Sequence, residues 1–171
     1  MVIKQVILNL YFYIMVKMKK KRKKKMLSIK DYLTNDHRKC DTLFARMEEQ
    51  ASESLQSAKE ATQAFVDEME HHFQMEERVM FVEFEAKTGM SQGPTSVMRQ
   101  EHMQMRNVMN QLLEAVENED KEKFFGLSET LMILLQQHNM KEEQMLYAMA
   151  QQHLSAESDR VVEMMEALIV E

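Results

Sequence analysis

Residues 72–77 read His-Phe-Gln-Met-Glu-Glu, and residues 138–143 read His-Asn-Met-Lys-Glu-Glu. In each stretch a carboxylate follows an imidazole by four positions. On an α-helix four residues amount to about 6 Å of rise and only ~40° of rotation, so both side chains leave the same face, one above the other. His72 with Glu76, and His138 with Glu142, can each grip one cation, or hold one metal and bridge to a second. Nitrogen and oxygen donors without thiolate suit iron, manganese or zinc better than a soft metal.

Outward from these pairs the chain reads as helical from residue 28 onward, in keeping with three Gly and one Pro in 171 residues. A first helix is expected from Ser28 to about Ser54, with Leu33, His37, Cys40, Phe44 and Met47 on one stripe. A second runs from about Ala58 to Thr88 with Phe65, Met69, His72, Glu76 and Val79 or Met80 inward, and Gly89 stops it. Gly93-Pro94 marks a turn and Thr95 or Ser96 offers a cap. The third helix turns Met98, His102, Met105, Met109 and Leu112 inward and ends near Asn118. The fourth, from about Lys121 to His153, presents Leu127, Leu131, Leu134, His138, Glu142, Met145 and Met149. A short fifth helix from Ser155 to Val170 buries Val161, Met164, Met165 and Leu168.

Each long helix therefore carries its His, or its His/Glu pair, inside its own apolar stripe. Uncompensated charges buried there would cost several kcal/mol each, a penalty that bound metal removes. Short loops make neighbours antiparallel. The expected fold is all-α, an up-down-up-down four-helix bundle over residues 28–153, with residues 154–171 as a C-terminal amphipathic helix and residues 1–27 as a separate extension.

Asp36-His37-Arg38, His72-x-x-x-Glu76-Glu77, Glu101-His102 and His138-x-x-x-Glu142-Glu143 resemble the hemerythrin-like, HHE cation-binding domains of the stand-alone bacterial type. The resemblance spans about residues 28–150, with every motif in family order. It implies a non-haem di-iron centre that reacts with O₂, and in some members with NO or peroxide. Carried over position by position, His37, His72, His102 and His138 are the nitrogen ligands, and Glu76 and Glu142 the bridging carboxylates. Two iron ions are the implied cofactor, with manganese or zinc as lesser alternatives. Oxygen-carrying hemerythrins have a second His four residues after the third-helix one, where this chain has Arg106. Their last carboxylate falls five residues after its His, at Glu143, whereas Glu142 fits the HHE spacing. One nitrogen ligand fewer leaves a more open centre, better suited to sensing or small-molecule reactivity than to simple carriage.

Other titratable residues read more blandly. Glu68, one turn before His72, and Glu101, beside His102, are candidates to accept hydrogen bonds from ligating imidazoles or to relay protons. Glu77 and Glu143 read as solvated, His71 as a surface residue, His153 as a helix-end cap. Cys40 reads as an inert core thiol. The 19 Met fill ordinary core positions and do not argue for copper. A ferritin-type site needs two E-x-x-H motifs; only Glu68-x-x-His71 has that spacing.

Residues 1–30 hold ten Lys/Arg and no acid, leaving 12 basic and 28 acidic side chains in the remaining 141, a formal −16. So acidic a body repels phosphate backbones, which excludes nucleic acid as its partner. The apolar run from Val2 to Val16 is interrupted and shorter than the ~20 residues of a membrane span. The basic run 19–25 follows it rather than preceding it, unlike a signal peptide. The favoured reading is that Met26 is the initiator and residues 1–25 translate a purine-rich ribosome-binding stretch. A signal anchor or a polybasic membrane tether is the alternative. No stable membrane insertion is expected, and one unpaired Cys points to a reducing, cytoplasmic compartment.

Three functions compete. The first is O₂ binding or sensing; a stand-alone sensor without a fused output domain would need a partner protein, and a homodimer or an unknown protein partner is among the expected partners. The second is protective or catalytic chemistry on NO or peroxide, or iron donation to damaged iron–sulfur clusters. The third is a purely structural, metal-stabilised bundle.

Overall fold

The computed structural model describes residues 27–169; the reading of Met26 as initiator, residues 1–25 and the end of the last helix at Val170 lie outside that range. Helix α1, Ile29–Glu53, starts where extended Ser28 accepts the Asp31 N–H on its hydroxyl at 3.0 Å. Ser54 ends α1 and caps α2, Leu55–Met75, by accepting the Ser57 N–H. One residue thus joins two antiparallel helices, in place of the longer gap up to Ala58 expected from the sequence. A π-helical turn, Glu76–Met80, carries α2 into α3, Phe81–Thr88. Gly89, at φ 74°, supplies the left-handed stop.

Helix α4, Pro94–Glu117, begins at its proline, whose missing N–H costs nothing in a first turn. Thr95 does not cap it; its hydroxyl donates to Glu85 at 2.6 Å. Asp120 caps α5, Lys121–Lys141. A second π turn, Glu142–Leu146, leads into α6, Tyr147–His153. Helix α7, Ser158–Glu166, is shorter than the expected 155–170. No strand occurs among the described residues, and none of their helices is long and apolar enough to cross a membrane.

Four rods result: α1, α2–α3, α4 and α5–α6. Their interior splits into two apolar clusters. One holds Phe44, Met47, Phe65, Phe73, Leu112 and Leu131; the other holds Ile29, Leu33, Phe81, Phe84, Leu146 and Tyr147. The changeover between clusters falls at one level on every rod: Leu33 to Cys40, Phe73 to Met75, Met98 to Met105, Leu135 to Leu146. His37, His72, His102 and His138 occupy that level. Helix α7 closes the bundle, laying Val161, Val162 and Met165 on the second cluster and packing against α1 and the first π turn.

The π turns correct the expected stripe of the fourth rod. The N–H of Tyr147 bonds to the carbonyl of Glu142, five residues back instead of four, and the wider turn accommodates one extra residue. Leu146, Tyr147 and Ala150 are consequently buried, while Met145, expected inside, is 50% exposed and Met149 only partly buried. On α7, Met164 likewise sits outside, at 39% exposure.

Candidate metal centre

The fold brings together His37, His72, Glu76, His102, His138 and Glu142, none more than 2% exposed. The imidazoles form two pairs. His37 and His72 have ring centroids 4.7 Å apart, and His102 and His138 are 4.8 Å apart with their Nε2 atoms at 3.1 Å. Each carboxylate reaches both pairs. Glu76 Oε2 lies 3.6 Å from His72 Nε2 and 3.2 Å from His102 Nε2. Glu142 Oε2 lies 3.3 Å from both His37 Nε2 and His138 Nε2. Two groups able to hold a metal follow: Glu76, His102, His138 and Glu142, and His37, His72 and Glu142. Glu142 belongs to both.

Every imidazole is oriented from behind by a carboxylate that accepts from its Nδ1, the arrangement that presents Nε2 to a metal. Asp36 accepts from His72 at 2.8 Å, Glu101 from His138 at 2.9 Å, Glu143 from His37 at 2.8 Å and Glu77 from His102 at 2.7 Å. The first two contacts stay within one helical hairpin; the last two cross between hairpins. A pseudo-twofold relation emerges in which Asp36, His37, His72, Glu76 and Glu77 correspond in order to Glu101, His102, His138, Glu142 and Glu143.

Burial works against every charge here, and the opposite charges prevail. Burial pulls His102 down, but Glu76 and Glu77 raise it to about 9. His37 and His138 are raised against burial in the same way, chiefly by Glu142. Burial pushes Glu77 up, yet His102 and Arg106 lower it to about 2. Glu142 is held well below the usual carboxylate range by His138 and His37, again against burial. Even so, the cluster cannot satisfy itself. His72 Nε2, Glu76 Oε2 and Glu142 Oε1 are buried without a hydrogen-bond partner, a state that buried polar atoms rarely adopt. Three inward-facing donor atoms of nitrogen and oxygen type, converging on one place, fit a bound cation.

The family model for the hemerythrin HHE cation-binding domain matches residues 28–150. The chain belongs to that family. No curated protein matches the chain, and no solved structure does.

Hemerythrin-type spacing singled out the six central residues; the structure adds four that sequence reasoning placed elsewhere or passed over. Glu77 and Glu143, read as solvated, instead hold His102 and His37. Asp36 was legible only as the neighbour of His37, yet it serves His72. Tyr147 is fully buried, and its hydroxyl lies 2.6 Å from Glu76 Oε1, 2.9 Å from Glu142 Oε2 and 3.0 Å from His37 Nε2. The i+5 spacing from Glu142 hides it from any search at helical period; the repeated Glu-Glu after each His was the available signal for Glu77 and Glu143. Glu101 does touch an imidazole, that of His138, and also pairs with Lys141. Glu68, the other expected acceptor, ion-pairs with Lys39. Cys40 is buried, with its thiol pushed up by burial first and then by Asp36 and Glu68.

Arg106 faces away from the centre. It donates to Glu70 at 2.7 Å and to Glu77 at 2.8 Å, and lies over the Phe73 ring. Phe73 in turn stacks on His102 at 4.1 Å. On the opposite flank a cavity of about 360 Å³, lined by Asp41, Phe44, Asn139 and Glu143 among others, reaches the carboxylate that holds His37.

Proposed function

We infer that this hemerythrin-type chain is a non-haem di-iron protein that binds or senses O₂ in the cytoplasm. The observation that carries this reading is the pair of ligand groups sharing Glu142, with each imidazole locked at Nδ1 and three inner donor atoms unpartnered. His37, His72 and Glu142 would hold one metal, and His102, His138, Glu76 and Glu142 the other. Each carboxylate already spans both imidazole pairs, as a bridge between two cations must. When bound, two ferrous ions supply the electrons that O₂ uptake requires.

The chain's own groups do the rest. Phe73 and Phe81, stacked on His102 at 4.1 and 5.9 Å, exclude water from one flank. The 360 Å³ cavity on the other flank is large enough for a diatomic molecule or peroxide to approach. Tyr147 brings a buried hydroxyl against Glu76, Glu142 and His37.

The test is an optical spectrum of the anaerobically reduced, iron-loaded protein before and after oxygen, with iron per chain measured on the same sample. Two irons and a new charge-transfer band that fades on degassing are expected. Two irons with no spectral response to oxygen would overturn the reading in favour of a structural metal. A second reading, protective chemistry on peroxide or NO, is favoured by Arg106 standing where an oxygen carrier has a further imidazole. Irreversible oxidation with turnover of added peroxide or NO would select it.

A further inference from the structure

The two ligand groups are unequal. The His102/His138 side draws four donors from His and Glu residues, and the His37/His72 side only three. On the pseudo-twofold, position 81 corresponds to position 147. Phe81 stacks on His102 with its ring centroid at 5.9 Å and offers no donor atom. Tyr147 brings a hydroxyl to the poorer side, within 3.0 Å of His37 Nε2 and 2.9 Å of Glu142 Oε2, both of them donors of that three-membered group.

We propose that Tyr147 Oη is the fourth protein ligand of the metal held by His37, His72 and Glu142, so that the two metals sit in chemically different places. The inference rests on the two-metal reading above. Its geometric basis is that Oη lies beside both His37 Nε2 and Glu142 Oε2, on a ring fixed by complete burial and by α6. The π turn is what delivers it. A regular α-helix would place position 146, a leucine, one turn after Glu142; the i+5 bond brings position 147 over the carboxylate instead. On binding to ferric iron the phenol O–H bond breaks, an Fe–O bond forms and the proton is released to solvent, as metal binding to acidic ligands generally requires. The oxygen donor is hard, so ferric iron is favoured on that side over softer ions.

The experiment is resonance Raman and visible absorption on the full chain loaded with ferrous iron and then oxidised, with iron per chain determined. A phenolate-to-iron charge-transfer band with enhanced tyrosine ring vibrations is expected at two irons per chain. Tyr147→Phe should lose both signals; the phenyl ring is already accommodated at the equivalent Phe81. Tyr32→Phe, which removes a hydroxyl bonded to Met75 Sδ at 3.8 Å, should keep them. Two irons without tyrosine vibrations in the unaltered protein would overturn this assignment and leave the di-iron reading standing, whatever the variant's folding. Vibrations that persist in Tyr147→Phe would overturn it equally. Failure to take up two irons would overturn both.

Discussion

At the scale of single residues, the centre depends on which atom of each imidazole is free. Asp36, Glu77, Glu101 and Glu143 each hold an Nδ1–H, which fixes the tautomer and aims Nε2 inward. Truncating such a partner typically weakens metal binding about 10- to 100-fold. Glu77→Ala should fall in that range in a chelator competition, because His102 loses the acceptor of its Nδ1–H. An unchanged affinity would show that the imidazoles orient themselves. Glu142, common to both groups, should matter more than His72: on the proposed two-iron reading, Glu142→Ala should cost both metals and His72→Ala one, as metal analysis after desalting will show. The six inner residues were legible in the sequence because ionisable side chains on four separate apolar stripes cannot all stay buried without something to meet their charge. Their supporting carboxylates were not. Position relative to the helix axis says that Glu77 leaves a different face from Glu76, but only the packing of α4 beside that face puts His102 within reach.

At the scale of elements, helix number, order and inner faces followed from period and from Gly, Pro and Ser signals. The two π turns did not. A π turn has no composition of its own; its five residues obey the same propensities as an α-helix, and only tertiary demand at Glu76 and Glu142 selects the wider ring. The fourth-rod stripe was therefore extended to Met145 one step too early. Deleting Gln144 should let Glu142–Leu146 relax to α-helix without turning α6 away from the core. Near-unchanged far-ultraviolet circular dichroism with weakened metal binding is the expected result; unweakened binding would mean the bulge is incidental. Elsewhere ordinary rules hold. Phe73, with no exposure and both Arg106 and His102 on its faces, should cost about 3–5 kcal/mol when cut to alanine, seen as a lowered melting temperature.

At the scale of the whole molecule, protons and metal compete for one set of atoms. His102, raised from 6.5 to about 9, stabilises the metal-free fold fully below pH 6.5, and that contribution disappears as pH climbs through 9. The melting temperature of the metal-free chain should decline across this window. Metal affinity should rise across it by up to ~10-fold per pH unit for each proton displaced, measurable by titration at pH 6.5, 7.5 and 8.5. Glu77, lowered to about 2, adds stability present above its ordinary value of 4.5 and lost as pH falls through 2. The pairing of two hairpins has a bearing on assembly. The single residue Ser54 ties α1 to α2, and Asn118 to Asp120 tie α4 to α5, so each hairpin is a local, quickly formed unit carrying half a ligand set. Neither half can finish the site by itself, since Glu143 must reach across to His37 and Glu77 to His102. Cations arriving during synthesis would meet an open jaw with three donors on each side, and closing it would make the ions a clasp between segments distant in the chain. Amide exchange should then slow on metal addition along the seam between hairpins more than within either one.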